Sequence, residues 1–231
     1  MPYRRLPNTD NARLKALECA LNKGDTASIS DLAVSFHVIN EAKTFLPFFK
    51  MARERYRQYF SEQVKANRKY QMQIKKARMY VSHFIQVLHF CVIRREMKTE
   101  SLAFYHLSDS NLSVPNLMSE NALMKWGVRV IEGETTRIRQ GGTPIYNPTI
   151  AKVKVHFDIF KESYNNQKNY RSNTARALSE LVALRDKADR IILEIWNQVE
   201  SSYADLPPKE RLKKCKEYGL IYYYRKNEIK E

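Results

Sequence analysis

The sequence predicts an all-α fold: an elongated antiparallel helical bundle built on two long heptad-patterned helices, with short flanking helices. Three observations carry this. Between residues 26 and 126 there is no glycine, and the prolines there are Pro47 and Pro115, so the residues that most readily end a helix are missing from a long stretch. Two segments repeat apolar residues at alternating spacings of four and three, the period of a packed helical seam. The composition agrees, since 43% hydrophobic and 28% charged residues with 6 Gly and 8 Pro in 231 argue against disorder, collagen and many-stranded sandwiches.

Taken in order, Asn8-Thr9-Asp10 caps a first helix near 10–23 carrying Leu14 and Leu17, and Gly24 stops it. Ser28 or Ser30 is positioned to cap a second helix with Leu32, Phe36 and Ile39 on one face, and Pro47 marks the first turn of the next. There the first seam begins: Phe45, Phe49, Ala52, Tyr56, Tyr59, Gln63, Ala66, Tyr70, Gln73, Ala77, Tyr80, Phe84, Val87 and Cys91. The 107–115 segment, rich in Ser, Asp and Asn, reads as a loop. Ser119-Glu120 caps an amphipathic helix carrying Leu123, Trp126, Val130 and Ile138, which ends before Gly141-Gly142.

Asn147-Pro148-Thr149 is a turn and start signal for the second seam: Val153, Phe157, Phe160, Tyr164, Gln167, Arg171, Thr174, Leu178, Leu181, Arg185, Ala188, Ile192, Ile195 and Val199. The two series are offset by a constant 108, which makes 45–98 and 153–206 a candidate pseudo-repeat within a single helical domain spanning 1–231. Asn165, Asn166, Asn169, Ser172 and Asn173 favour a turn in the middle of the second stretch, but the seam keeps its phase through them. We therefore expect two continuous helices of about 75 Å each, at 1.5 Å per residue, with four shorter helices in an ordinary bundle as the alternative. The polar middle of both seams suggests a loosely packed waist or a second copy packing there. Pro207-Pro208 opens a short helix that Tyr218-Gly219 closes, and the tyrosine-rich tail 220–225 is expected to be an extended segment pinned to the bundle.

Chemistry is sparse. His37, His83, His89, His106 and His156 have no spacing that would place two metal ligands on one helical face, and Cys19, Cys91 and Cys215 lack CxxC spacing. His83 and His89 border the seam and are expected as partly buried polar neighbours of the core. Gly141-Gly142 lacks the further glycine and the Lys-Ser/Thr of a phosphate-binding loop. Asp186, Asp189 and Glu194 sit among Arg185, Lys187 and Arg190, a pattern of solvated ion pairs rather than of acid and base. No catalytic constellation, cofactor, metal or small-molecule substrate is indicated, and an enzyme is not expected. Neither an apolar signal region nor a membrane-length apolar run is present, so a cytoplasmic protein is expected.

Charge is the strongest functional hint. The formal net charge is +15 with pI near 9.7. The 50–78 segment holds ten Lys and Arg against Glu54 and Glu62, a net +8, whereas 152–205 is nearly balanced. Arg53, Arg57, Lys65, Arg68, Lys69, Lys75, Lys76 and Arg78 are the candidate polyanion-binding residues, because cations clustered between seam positions are what phosphate neutralisation requires.

In the C-terminal third, Leu184-Arg185-x-x-Ala188-Asp189-x-Ile191-Ile192-Leu193-x-Ile195-Trp196-Asn197-x-Val199-Glu200, followed by Leu206-Pro207-Pro208 and Tyr218-Gly219-Leu220-Ile221-Tyr222, resembles a group of all-helical proteins of Bacteroidetes. The start Tyr3-Arg4-Arg5-Leu6-Pro7-Asn8-Thr9-Asp10 and the turn Gly141-Gly142-x-Pro144-x-x-Asn147-Pro148 resemble the same group. The resemblance implies a helical fold and no particular activity, and the central segment here is more basic than such proteins lead one to expect. From their own chemistry, Ile192, Ile195, Trp196 and Val199 should form a buried stripe, with Asp189, Asn197 and Glu200 placed to bond the tail. The sequence thus points first to a non-enzymatic helical scaffold or interaction protein that binds a protein partner or itself as a homodimer. The alternative is sequence-independent nucleic-acid binding through 50–78.

Overall fold

Helix-forming residues without breakers do become helix here. The structure, a computed structural model, describes residues 2–26 and 32–224. Six α-helices are formed among them: α1 (Asp10–Thr26), α2 (Phe36–Ile93), α3 (Glu120–Arg139), α4 (Ile150–Ala183), α5 (Arg185–Ser202) and α6 (Pro208–Glu217). A 3₁₀ helix spans Thr99–Tyr105, and two short strands, β1 (Tyr3–Arg4) and β2 (Tyr222–Tyr223), pair antiparallel. The fold is all-α, with the long helices α2 and α4 packed together. The caps expected at Ser28 or Ser30, and Arg225 of the tail, lie outside the described residues.

Several boundaries differ from expectation. Pro47 does not open a helix; it sits inside α2, which runs unbroken for 58 residues from Phe36. Helix α1 continues past Gly24 to Thr26. The second long stretch is broken, though not at its asparagines: α4 carries them all, and the interruption falls at Leu184. Burial explains why the polar run stays helical, since Gln167, Thr174 and Ala177 on that helix are all buried. Beyond Gln167 the inward stripe passes through Ala177 rather than Leu178, and Arg171 points to solvent.

The chain forms two compact units, Met1–Phe60 with Asn173–Glu231, and Ser61–Ser172. In the first unit, Leu17, Ala20, Phe49, Leu181, Ile192, Ile195, Trp196 and Val199 build the core. Trp196 and its neighbours on α5 are buried as their spacing predicts. Around that core the charged pairs run between elements rather than along α5. Arg13 grips Asp189 through two nitrogens at 2.7 and 2.8 Å, Arg185 grips Asp10 at 2.8 Å, and Arg190 and Lys187 reach Glu41. Glu200 accepts from the Tyr222 hydroxyl at 2.7 Å and from Arg4, which also meets Asn197, so β1 and β2 are fastened to α5.

In the second unit the core is Tyr70, Ile74, Ala77, Val81, Phe84, Ile85 and Leu88 of α2 against Leu123 and Val130 of α3 and Val153, Phe157 and Phe160 of α4. Gly127 lets α3 approach closely, because a Cβ there would stand 2.1 Å from the Phe157 ring. Ser119 caps α3 by accepting from the Ala122 amide, as its position predicts. His89 is buried, whereas His83, expected beside it, is exposed one face away.

A charged pair lies inside this unit. Glu134 is fully buried and accepts from Arg137 at 2.9 Å, from the Ile145 amide at 3.1 Å, and from the Tyr105 hydroxyl; Arg137 also donates to the Thr143 carbonyl. Burial alone would raise the Glu134 carboxyl, but the bonds from Arg137, Tyr105 and Ile145 outweigh it and hold it below its ordinary value. The network ties the 3₁₀ helix, α3 and the 141–145 turn together. Glu134→Leu leaves the Arg137 guanidinium buried without a counter-charge, so urea unfolding should show a loss of about 3–5 kcal/mol. Glu134→Leu with Arg137→Met should recover most of it, and a double variant no more stable than the single one would refute this account.

Candidate polyanion-binding face

Helix α2 carries every residue of the basic segment, and the structure sorts them by partner. Those before residue 60 are neutralised by nearby carboxylates. Lys50 meets Glu18 at 2.6 Å, Arg55 meets Glu180 at 2.9 Å, and Arg53 and Arg57 share Glu54 at 2.7 and 3.3 Å. Arg78 is committed differently, donating to the backbone carbonyls of Leu117 and Met118 at 3.0 and 2.9 Å and so holding the approach to α3. The remaining five, Lys65, Arg68, Lys69, Lys75 and Lys76, are exposed and make no ion pair among the described residues.

These five share one side of the helix. At 100° per residue, Lys65, Arg68, Lys69, Met72, Lys75, Lys76 and Met79 fall within a sector of roughly 120°, away from the buried stripe of Tyr70, Ile74 and Ala77. The neighbouring edge of α4 extends the charge. Lys152 lies 5.9 Å from the Tyr80 ring, and His156 stacks on the same ring at 4.1 Å between centroids. Eighteen Lys and Arg against nine Asp and Glu give residues 61–172 a formal charge of +9.

His156 reports on the resulting potential. Burial lowers its pKa first, and the Lys76 and Lys152 ammonium groups lower it further. A depressed histidine binds fewer protons folded than unfolded, so its contribution to stability is lost as pH falls below the ordinary value of about 6.5.

On the same flank, towards the N-terminus of α2, a cavity of about 350 Å³ opens between α2 and α4. Lys65 and Lys69 line one side, and Ser163, Asn166, Gln167 and Tyr170 line the other. Gln167 is only 3% exposed, yet its Oε1 has no hydrogen-bond partner. Sequence reasoning placed Gln167 in the seam but gave it no function. Its signal was a lone amide at an apolar-spaced position.

Elsewhere, no cluster of three or more His, Cys, Asp and Glu that could hold a metal ion occurs among the described residues. No described helix is long and apolar enough to cross a membrane. Cys19, Cys91 and Cys215 are free thiols. Compared with protein-family models, curated proteins and solved structures, the chain matches none. The face is therefore argued from its own geometry.

If Lys76 contributes to the potential at His156, Lys76→Glu should raise the imidazole pKa relative to the parent, read by an NMR pH titration. High salt should move the parent in the same direction by screening the exposed ammoniums. An unchanged value in the variant would show that burial alone sets it.

Proposed function

We propose that this chain is a non-enzymatic helical binding protein whose exposed stripe on α2, Lys65, Arg68, Lys69, Lys75 and Lys76, engages the phosphate backbone of a nucleic acid. The observation that supports this most is the division of the basic segment. The cations before residue 60 have carboxylate partners in the fold, and these five have none among the described residues. A lysine already held by a carboxylate has little to offer a phosphate. An unpaired one releases a counterion on contact, which is the main source of sequence-independent affinity. The stripe presents no arrangement for reading base edges, so binding should follow charge and not sequence.

A protein partner is the second reading, and one feature favours it. Met72 and Met79 stand about half exposed within the stripe, and soft apolar side chains among cations suit an acidic, amphipathic partner. The resemblance to helical Bacteroidetes proteins brings no activity to either reading.

Fluorescence anisotropy with labelled single-stranded and duplex oligonucleotides separates the two. Binding should weaken with salt, with a log–log slope on the order of −3 to −4 if four or five phosphates are neutralised. Arg68→Glu, Lys75→Glu and Lys76→Glu together should abolish retention near physiological salt with helicity unchanged, while Arg53→Glu with Arg57→Glu should change it little. Equal losses in the two variants, or no binding at low salt, would sink the nucleic-acid reading.

A further inference from the structure

Unpartnered polar atoms on His89, His156 and Gln167 are sealed from solvent, so no ligand reaches them. Arg137 differs. Its side chain is only 6% exposed, and two of its nitrogens are spent inside the fold. Nε donates to Tyr105 and Glu134, and Nη2 donates to Glu134 and to the Thr143 carbonyl. Nη1 has no hydrogen-bond partner among the described residues, yet it is not one of the sealed atoms. Its outlet is a cavity of about 640 Å³ that Arg137 lines, bounded by the end of α2, the 3₁₀ helix and the 141–147 turn. Gly142 keeps that outlet open, because a Cβ there would stand 2.6 Å from Nη1.

A guanidinium donor fixed in this way favours a carboxylate, since a charge-assisted bond is roughly twice as strong as a neutral one. Lys98 on the same lining adds a second cation. The opposite sign is present too, in Glu96. Burial pushes the neighbouring Cys91 thiol up first, the Glu96 carboxylate pushes it further, and Arg94 and Arg137 pull it back, so both signs act on one part of the wall. Glu96 meets Arg94 at 4.0 Å between two exposed side chains, a pair worth little in water, and its carboxylate is available to a better partner. Glu134 already balances Arg137, and Glu96 balances Lys98. The site therefore offers both charges with no excess of either, which disfavours a polyanion. Val87, Met97 and Ile145 supply an apolar wall.

We propose that this cavity binds a free α-amino acid with an apolar side chain. Arg137 Nη1 and Lys98 hold the carboxylate, Glu96 holds the ammonium, and Val87, Met97 and Ile145 take the side chain. The volume of about 640 Å³ lies within the range of small-ligand sites, roughly 300–1,000 Å³. The α2 stripe contributes none of these residues, so the proposal stands apart from the nucleic-acid reading.

Isothermal titration of the intact protein with L-phenylalanine should give saturable binding at ~1 mM or tighter. L-Phenylalaninamide lacks the carboxylate and N-acetyl-L-phenylalanine lacks the ammonium, and each should bind roughly tenfold more weakly or worse. Glu96→Gln, a change at an exposed position, should weaken phenylalanine roughly tenfold while leaving the N-acetyl compound unchanged or tighter. Gly142→Ala sets a methyl group over Nη1 and should weaken both ligands. Because that methyl also crowds the Arg137 carbonyl at 2.9 Å, Lys98→Ala tests the carboxylate half without disturbing the turn, and it too should weaken both ligands. Arg68→Glu, Lys75→Glu and Lys76→Glu together should leave phenylalanine binding within about twofold, since those groups lie outside the cavity. Phenylalanine binding that is absent at millimolar concentration, equalled by the amide, or weakened by Glu96→Gln to the same degree as the N-acetyl compound overturns the proposal.

Discussion

The buried stripe of α2 is the constraint on which the other features depend. A helix of 58 residues has too few intrinsic contacts to hold itself straight in water, and most helical stability comes from packing one face. Phe45, Phe49, Tyr70, Ala77 and Phe84 provide that face at heptad spacing. Once they are turned inward, the rotational setting of every other residue on α2 is fixed. The stripe of lysines is exposed because of where the tyrosines and phenylalanines went. The polar partner side of the cavity is set the same way, since Phe157 and Phe160 turn α4 so that Gln167 faces inward.

What then distinguishes one cation from another is the supply of carboxylates on the elements opposite. Around the first part of α2, Glu18 of α1 and Glu180 of α4 lie within reach, and Glu54 serves two arginines. In the 61–172 unit no carboxylate among the described residues pairs with the five cations of the stripe. Glu134 is buried against Arg137, and Glu62 stands on the cavity rim. Packing decided the sorting, and net charge alone would not have revealed it.

The helical class, the Ser119 cap, the closing Tyr218-Gly219 and the buried Ile192–Trp196 stripe were legible in the sequence because each follows from local chemistry or from a period. Pro47 was not. A proline in the interior of a helix loses one hydrogen bond and crowds the preceding turn, a penalty that the buried Phe45, Leu46 and Phe49 on either side outweigh through tertiary contact. The break at Leu184 also escaped the pattern, since the seam residues Leu181 and Ala188 are buried on both sides of it and periodicity reads straight across. The basic segment was visible as a run of residues, but its division was not, because Glu18 and Glu180 are distant in sequence from the cations they neutralise. Glu134 and Arg137 have the three-residue spacing of an ordinary surface pair; only the packing of Tyr105 and the turn at Ile145 against them makes the pair internal.

The unpaired stripe is itself a liability to the isolated protein. Lys65 with Arg68 and Lys65 with Lys69 are like charges at helical contact spacing, and each such pair destabilises a helix by about 0.2–0.5 kcal/mol. Glutamate at any of these solvent-facing positions would remove the repulsion without touching the core. Instead Glu54 of α2 serves Arg53 and Arg57, Glu41 serves Lys187 and Arg190 of α5, and five cations stay together on the flank that also holds the cavity. The energetic sign of the stripe reverses when a polyanion lies along it, since repulsion between neighbouring lysines becomes shared attraction to one chain of phosphates. A merely solubilising surface gains nothing from that clustering, because interspersed charges of both signs would serve it at lower internal repulsion.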